Sequence, residues 1–375
     1  MKLGDGLSMP VGVSWWRRFA LRFDWPLFAL VSLVVGIGLA NLYSATHGTA
    51  HSGKFDQQMI RMIVGGTVFV VVTALDYRSL QRFVWLGLLA AVAAIIAVAI
   101  AGHASGGAAR WLDVAGVRMQ PSEFAKIAVI LVLARVAHDG RSGDVAAGKT
   151  LVLVLVSLVP MVLIAMQPDL GSAILVGLIA ASIGVAAMPR LWPLVTLGAF
   201  VLALLPVLWE HMHAYQKQRW LTFLDPSADP TGAGWHTQQS IFAVGSGQMT
   251  GKGFLNATQN QFSFLPEHWT DFPFSVWAEE WGFVGSVLLL ALFASLIFWI
   301  IHLALSARDE FGSMICVGVA AMLFWQLVVN IAMVLGLAPI VGVPLPLISY
   351  GGSSLVATFL GLGLVSSVAA RRHPA

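Results

Sequence analysis

LVLVLVSLVPMVLIAMQPDLGSAILVGLIAASIGVAA, Leu151–Ala187, contains one charged side chain, Asp169, and two apolar runs joined by the short polar stretch QPDLG at Gln167–Gly171. Each run approaches the roughly 20 residues that a helix needs to cross the hydrocarbon core of a bilayer. Neither alternates apolar with polar, as a strand of a membrane barrel would. Spanning backbone must satisfy its own polar groups, so the pair reads as two helices turning tightly on themselves in lipid. Working outward, the same pattern predicts spans at 26–46, 59–75, 84–102, 121–137, 150–167, 170–188, 191–208, 273–302, 313–336 and 349–369. Across all 375 residues, 58% are hydrophobic and 10% charged, with a mean hydropathy of +0.82. A soluble domain carries about a quarter charged residues. The expected fold is therefore an all-α polytopic membrane protein of about ten transmembrane helices, forming a single integral domain.

Ten crossings place both termini on one side. Most Lys and Arg fall on the side of Met1; the exceptions are Lys54, Arg61, Arg110, Arg118, Lys126, Lys217, Arg219 and Lys252. Basic residues mark cytoplasmic loops, so both termini are expected in the cytoplasm and the long polar segment 209–272 outside. Arg17, Arg18 and Arg22 precede a full-length span without a small-residue cleavage site, which predicts a retained first helix rather than a signal peptide. The net charge of +3 includes no compact basic stretch of the nucleic-acid-binding kind. A single cysteine, Cys316, allows no disulfide framework or thiolate metal site within the chain.

Three segments carry candidate chemistry. In RWLDVAGVRMQPSEFAKI, Arg110–Ile127, Pro121 and Ser122 read as a helix start. Glu123 and Lys126 then stand three apart on one face. They form either an interfacial ion pair that orients the helix or, with Arg110, a holder for a phosphate or carboxylate. The second segment is the outer loop, which closes with LPEHWTDF at Leu265–Phe272. Asp271 there is either a helix cap or a carboxylate at the bilayer surface, able to act as a general base or to hold a divalent cation near a diphosphate. Glu279 and Glu280 lie two turns further on and, as intramembrane acids, require partners or a polar cavity. Gly245–Gly253 superficially resembles a phosphate-binding P-loop, but Ser246 replaces the first glycine and Gly253 follows Lys252 where Ser or Thr belongs, so its glycines read as turn residues. His211 and His213 form a weak metal-ligand pattern, and Asp169 either caps the sixth helix or contacts substrate. The third segment, GLAPIVGVPLPLISYGGSS at Gly336–Ser354, interrupts apolar sequence with three prolines and a Gly-Gly pair. Irregular backbone at membrane depth needs cover from protein or from a water-filled cavity, so a re-entrant loop before the last helix is expected.

Together RWLDVAGVRMQPSEFAKI, QPDLGSAIL (Gln167–Leu175), GKGFLNATQNQFSFLPEHWTDFPFSVWAEEWGFVG (Gly251–Gly285) and PLPLISYGGSS (Pro344–Ser354) resemble the SEDS family of bacterial cell-wall proteins, in the family's order and over nearly the whole chain. DWPL at Asp24–Leu27 and the ATQNQFSFLPE stretch resemble its elongation branch more than its division branch. The resemblance implies a ten-helix glycosyltransferase of the bacterial cytoplasmic membrane that polymerises lipid II into glycan strands, with a class B penicillin-binding protein as partner. It implies that Asp271 is required for polymerisation, and it maps Glu123 and Lys126 onto paired polar residues and Arg219 onto a recurring arginine of the large loop. Substrate contacts are expected at Arg110, Glu123, Lys126, Arg219, Glu279, Glu280, Ser349 and Tyr350, with a divalent cation (Mg or Mn) as a conceivable cofactor. The chain departs from the family at His268-Trp269, where a basic residue followed by His is usual, at Pro273 after TDF, and at Trp281 after the paired glutamates. Rival readings are a lipid-precursor flippase and a non-catalytic scaffold.

Overall fold

The computed structural model describes residues 23–49, 51–101, 103–105, 108–114, 117–138, 146–167, 169–187, 198, 209–210, 212, 214–225, 229, 232–257 and 269–372. The chain forms helices α1 (Trp25–Thr46), α2 (Gly53–Ala74) and α3 (Val84–Ala101), with a short 3₁₀ turn at Tyr77–Arg82 between α2 and α3. Strands β1 (His103–Ser105), β2 (Ala108–Val114) and β3 (Val117–Met119) then make a three-stranded antiparallel meander. It is followed by α4 (Pro121–His138), α5 (Ala146–Met166) and α6 (Leu170–Ala187). The outer loop contains α7 (Ala214–Leu224) and α8 (Ala233–Ser246); α9 (Pro273–Leu305), α10 (Glu310–Val334) and α11 (Gly352–Ala370) complete the chain.

Six of these helices (α1, α2, α6, α9, α10 and α11) are long and apolar enough to cross a membrane. The chain is a multi-pass membrane protein. The helix boundaries follow the expected spans closely, whereas the expected span 191–208 and the pair His211/His213 lie outside the described residues, apart from Gly198. The β-meander adds to the helical expectation.

Helix α4 is the bundle's axis. It is buried on nearly every side, packing against α3, α6 and α10. Such all-round burial tolerates charge only in pairs. Helices α2 and α11 pack most closely, through small residues: a Cβ on Gly363 would lie 3.0 Å from the Phe69 carbonyl, and one on Gly65 would overlap the Phe359 ring. Close approach of this kind is how helices associate where lipid supplies no hydrophobic drive.

Asp309 at the start of α10 fastens the inner end of the bundle. Its carboxylate accepts hydrogen bonds from Gly312 N, Tyr77 OH and Arg78 Nε, each at 2.8 Å. Burial alone would push its pKa up; the Gly312 amide, the Tyr77 hydroxyl and the Arg78 guanidinium outweigh that and hold it below the usual carboxylate range. A depressed folded-state pKa gives stability that is present above the unfolded value, about 3.9, and lost as pH falls through the folded one. Asp309→Asn should therefore lower the melting temperature in detergent at pH 7, and the gap from wild type should shrink below about pH 4. A gap independent of pH would refute this linkage.

Candidate functional site

Asp271 lies in the turn that leads into α9. The next residues are held by α1, where Asn41 Nδ2 donates to the Pro273 carbonyl at 3.0 Å. Asn41 is five residues before the end of α1, a depth of about 7 Å at 1.5 Å per residue. Asn330 of α10 binds two carbonyls with one amide nitrogen, Asp271 O at 3.0 Å and Val343 O at 2.8 Å. This fastens the TDF turn to the irregular segment 336–351. The N-cap position of α9 falls on Phe272, whose side chain makes no capping hydrogen bond. Asp271 Oδ2 lies 3.6 Å from the position a Cβ on Gly342 would take.

Segment 336–351 is the hub of the outer face, and it is re-entrant as expected. Leu345, Leu347, Ile348 and Ser349 are buried, and a Cβ on Gly38 would come within 2.6 Å of the Leu347 carbonyl. Gly38 is eight residues, about 12 Å, below the outer end of α1. The segment's polar backbone is satisfied by side chains around it. Ser349 Oγ accepts from Leu345 N at 2.7 Å, and Gln58 Nε2 donates to Ser349 O at 3.2 Å. Arg219 of α7 donates to Ile340 O at 3.0 Å. Tyr350 N donates to Trp269 O at 2.8 Å, and Tyr350 OH to Gln57 Oε1 at 2.6 Å.

The remaining expected site residues fall into two networks. Of the two roles foreseen for Asp169, the structure shows the cap. Asp169 caps α6 by accepting from Ser172 N at 3.3 Å, and it also accepts from Gln120 Nε2 at 3.1 Å and lies 3.9 Å from Arg110 Nη1. Gln120 N in turn donates to Ser353 Oγ at 2.9 Å, joining this network to the hub. Glu123 and Lys126 pair at 2.9 Å, with the Lys126 side chain wholly enclosed and that of Glu123 nearly so. In this geometry the pair meets α4's neighbours rather than an open groove. Removing one partner of such a pair costs about 3–5 kcal/mol by stranding the other charge. Lys126→Met should thus lower thermal stability strongly, and Glu123→Gln/Lys126→Met together should regain much of it; equal loss in both variants would contradict the pairing argument.

Glu279 and Glu280 brace the kink in α9. Gly282 has φ 63° and ψ −160°, breaking α9 into a short outer arm and the long span. The glycine-rich turn after α8 supplies the hydrogen bonds lost at the break. Lys252 N and Gly253 N donate to the carbonyls of Glu279 and Glu280, both at 3.0 Å. In return Phe283 N and Val284 N donate to Gln248 O and Met249 O. Side chains reinforce the join, Lys252 Nζ to Glu279 Oε1 at 2.5 Å and the Ser44 hydroxyl to Glu280 Oε1. The false P-loop is therefore a backbone splice. Above Glu280 opens a cavity of about 250 Å³ lined by Ser44, His47, Gly48, Thr49, Leu255 and Ala257.

Positive charge gathers on the rings of Trp269 and Tyr350 from residues the sequence reading did not choose. Lys54 Nζ stands 3.6 Å from the Trp269 ring centroid, and Arg61 Cζ stands 4.3 Å from that of Tyr350. Their one sequence signal was position: both are cations on the outer side, against the usual charge distribution.

Comparison with known proteins places this architecture. The family model described as cell cycle protein, FtsW/RodA/SpoVE, matches residues 20–373. The chain belongs to the FtsW/RodA/SpoVE family. Among this family's members, the peptidoglycan glycosyltransferase MrdB of Escherichia coli K12 is 42% identical over 323 residues, covering 85% of this chain and 86% of MrdB. The probable peptidoglycan glycosyltransferase FtsW of Bacillus subtilis is 32% identical, covering 94% and 92% of the two chains. A chain from a structure on "polymerization and crosslinking by a peptidoglycan synthase complex" superposes with a TM-score of 0.81 at 32% identity, over 94% of this chain and 99% of that one. The rod shape determining protein RodA of Thermus thermophilus gives 0.71 at 30% identity, over 94% and 98%.

Proposed function

We infer that this chain is a peptidoglycan glycosyltransferase, polymerising lipid II into glycan strands during cell-wall elongation in the bacterial cytoplasmic membrane. Family membership over residues 20–373 supports the activity, and 42% identity to MrdB supports the elongation role. The observation that carries the site is the placement of Asp271 in the turn before α9, which Asn330 of α10 fastens to the re-entrant loop through the carbonyls of Asp271 and Val343. There a carboxylate can meet both a lipid-anchored donor and a polymer growing outside.

In the reaction, an acceptor sugar hydroxyl attacks the anomeric carbon of a lipid diphosphate-linked donor. The new glycosidic C–O bond forms as the anomeric carbon–diphosphate bond breaks, and the diphosphate leaves with the bonding electrons. We assign the hydroxyl proton to Asp271. Arg219 sets the loop from one side through Ile340, and Ser349 and Tyr350 set it from the other. The Arg110–Asp169 and Glu123–Lys126 pairs hold the helix beneath it, and Glu279 and Glu280 fix the arm that follows Asp271. Among the described residues no three His, Cys, Asp or Glu side chains converge as a metal site. No step is assigned to Mg or Mn. A class B penicillin-binding protein is the partner this reading requires for crosslinking, and both termini then face the cytoplasm.

The test is polymerisation of lipid II by the purified protein with that partner, read as glycan strands on a gel. Strands dependent on this chain support the assignment. Lipid II translocation across vesicles without polymerisation would replace it with the transport reading.

A further inference from the structure

We propose that Lys54 and Arg61 on α2, with the rings of Trp269 and Tyr350, form a shelf that binds the diphosphate of a lipid-linked substrate. The proposal deepens the polymerase reading and rests on it for the identity of the lipid. The shelf itself rests on geometry. Lys54 and Arg61 lie seven residues apart, two turns along one helix face. Lys54 Nζ and Arg61 Cζ lie 5.5 and 4.3 Å from the same Tyr350 centroid, close enough for the two ends of one diphosphate.

The rings are held firmly enough to define a site. Tyr350 is fixed by its amide on Trp269 O and by its hydroxyl on Gln57, and His51 stacks on Trp269 at 4.5 Å between centroids. Trp269 is two residues before Asp271 in the chain. Stacking engages the face of a guanidinium and leaves its N–H edges for bidentate bonding to phosphate oxygens. Among the described residues no carboxylate lies within ion-pair distance of Arg61. The other cations foreseen for this task are committed elsewhere: Lys126 to Glu123, Arg110 to Asp169 and Arg219 to Ile340 O.

The test is binding of farnesyl diphosphate to the full chain in phosphatidylcholine nanodiscs at several salt concentrations. Wild type should bind with affinity that falls as salt rises, and Lys54→Gln/Arg61→Gln should bind at least tenfold more weakly. Lys54→Arg/Arg61→Lys should keep most of the affinity. If the Gln variant melts like wild type and binds within twofold of it, the shelf is not the site. Farnesyl monophosphate and discs containing phosphatidylglycerol separate the sources. Competition by phosphatidylglycerol as strong as by the diphosphate would make the shelf a general headgroup site and overturn the proposal. Polymerisation assays run alongside keep the two readings apart. A polymerising wild type whose Gln variant shows unchanged KM for lipid II sinks the shelf and leaves the polymerase standing. Diphosphate binding by a wild type that makes no glycan does the reverse.

Discussion

Asp271→Asn is expected to reduce glycan polymerisation by 10²- to 10⁴-fold, the range lost when a positioned general base is removed, while leaving the fold and partner binding unchanged. The fold should survive because Asp271 is engaged by Asn330 through its backbone carbonyl, which the substitution keeps. The substitution swaps a proton acceptor for an amide of nearly the same size. Adding Mg or Mn sharpens the result. A carboxylate acting as base cannot be replaced by more metal, so the variant should stay inactive across the cation titration. Recovery at high cation concentration would instead assign Asp271 as a ligand to an ion recruited with the diphosphate. Full activity of Asp271→Asn without added ion would remove it from the chemistry altogether.

Gly282→Ala is expected to be the most damaging single-methyl change in the outer half of the molecule. The backbone there, φ 63° and ψ −160°, belongs to a region essentially restricted to glycine. An added Cβ would also stand 2.4 Å from Gly251 N, inside the splice that carries the kink. Gly251→Ala meets the same obstacle from the other side, with φ +79° and a Cβ 2.0 Å from the Glu280 carbonyl. Strain plus forced displacement should cost about 3 kcal/mol or more in each case. The kink also sets the direction of the short arm after Asp271, so any protein that does fold should lose polymerisation more than it loses stability. Gly87→Ala is the control: its Cβ meets nothing within 4 Å, and alanine favours helix over glycine. Thermal melts of the three purified variants decide the matter, and a Gly282→Ala protein as stable and active as Gly87→Ala would show that the splice is dispensable.

Much of the site was legible before any coordinates. Asp271, the Glu123–Lys126 spacing and the proline-broken loop at Gly336–Ser354 stood out because charge and irregular backbone are costly in lipid and must be justified. Reading the glycines of Gly245–Gly253 as turn residues holds from Gly247 onward, Gly245 lying in the last turn of α8, but nothing local points to the stretch of α9 that those glycines approach. Lys54 and Arg61 were visible only as cations on the unexpected side. Nothing local ties residue 54 to 269 or residue 61 to 350.

By itself the sequence determined the solvent, the helical class and the approximate bounds of the long apolar helices, since a hydrocarbon core fixes both the length and the composition of what crosses it; the loop helices α7 and α8, which carry no such constraint, were not foreseen. It also determined that polar residues such as Glu279 and Glu280 must have partners. Which partners they have was decided only by the tertiary structure: Lys252 and Ser44 for the paired acids, Asp169 for Arg110, a loop carbonyl for Arg219. The reason is that a buried polar group's demand is a property of the residue, whereas its satisfaction depends on which distant backbone and side chains the packed helices bring within about 3 Å.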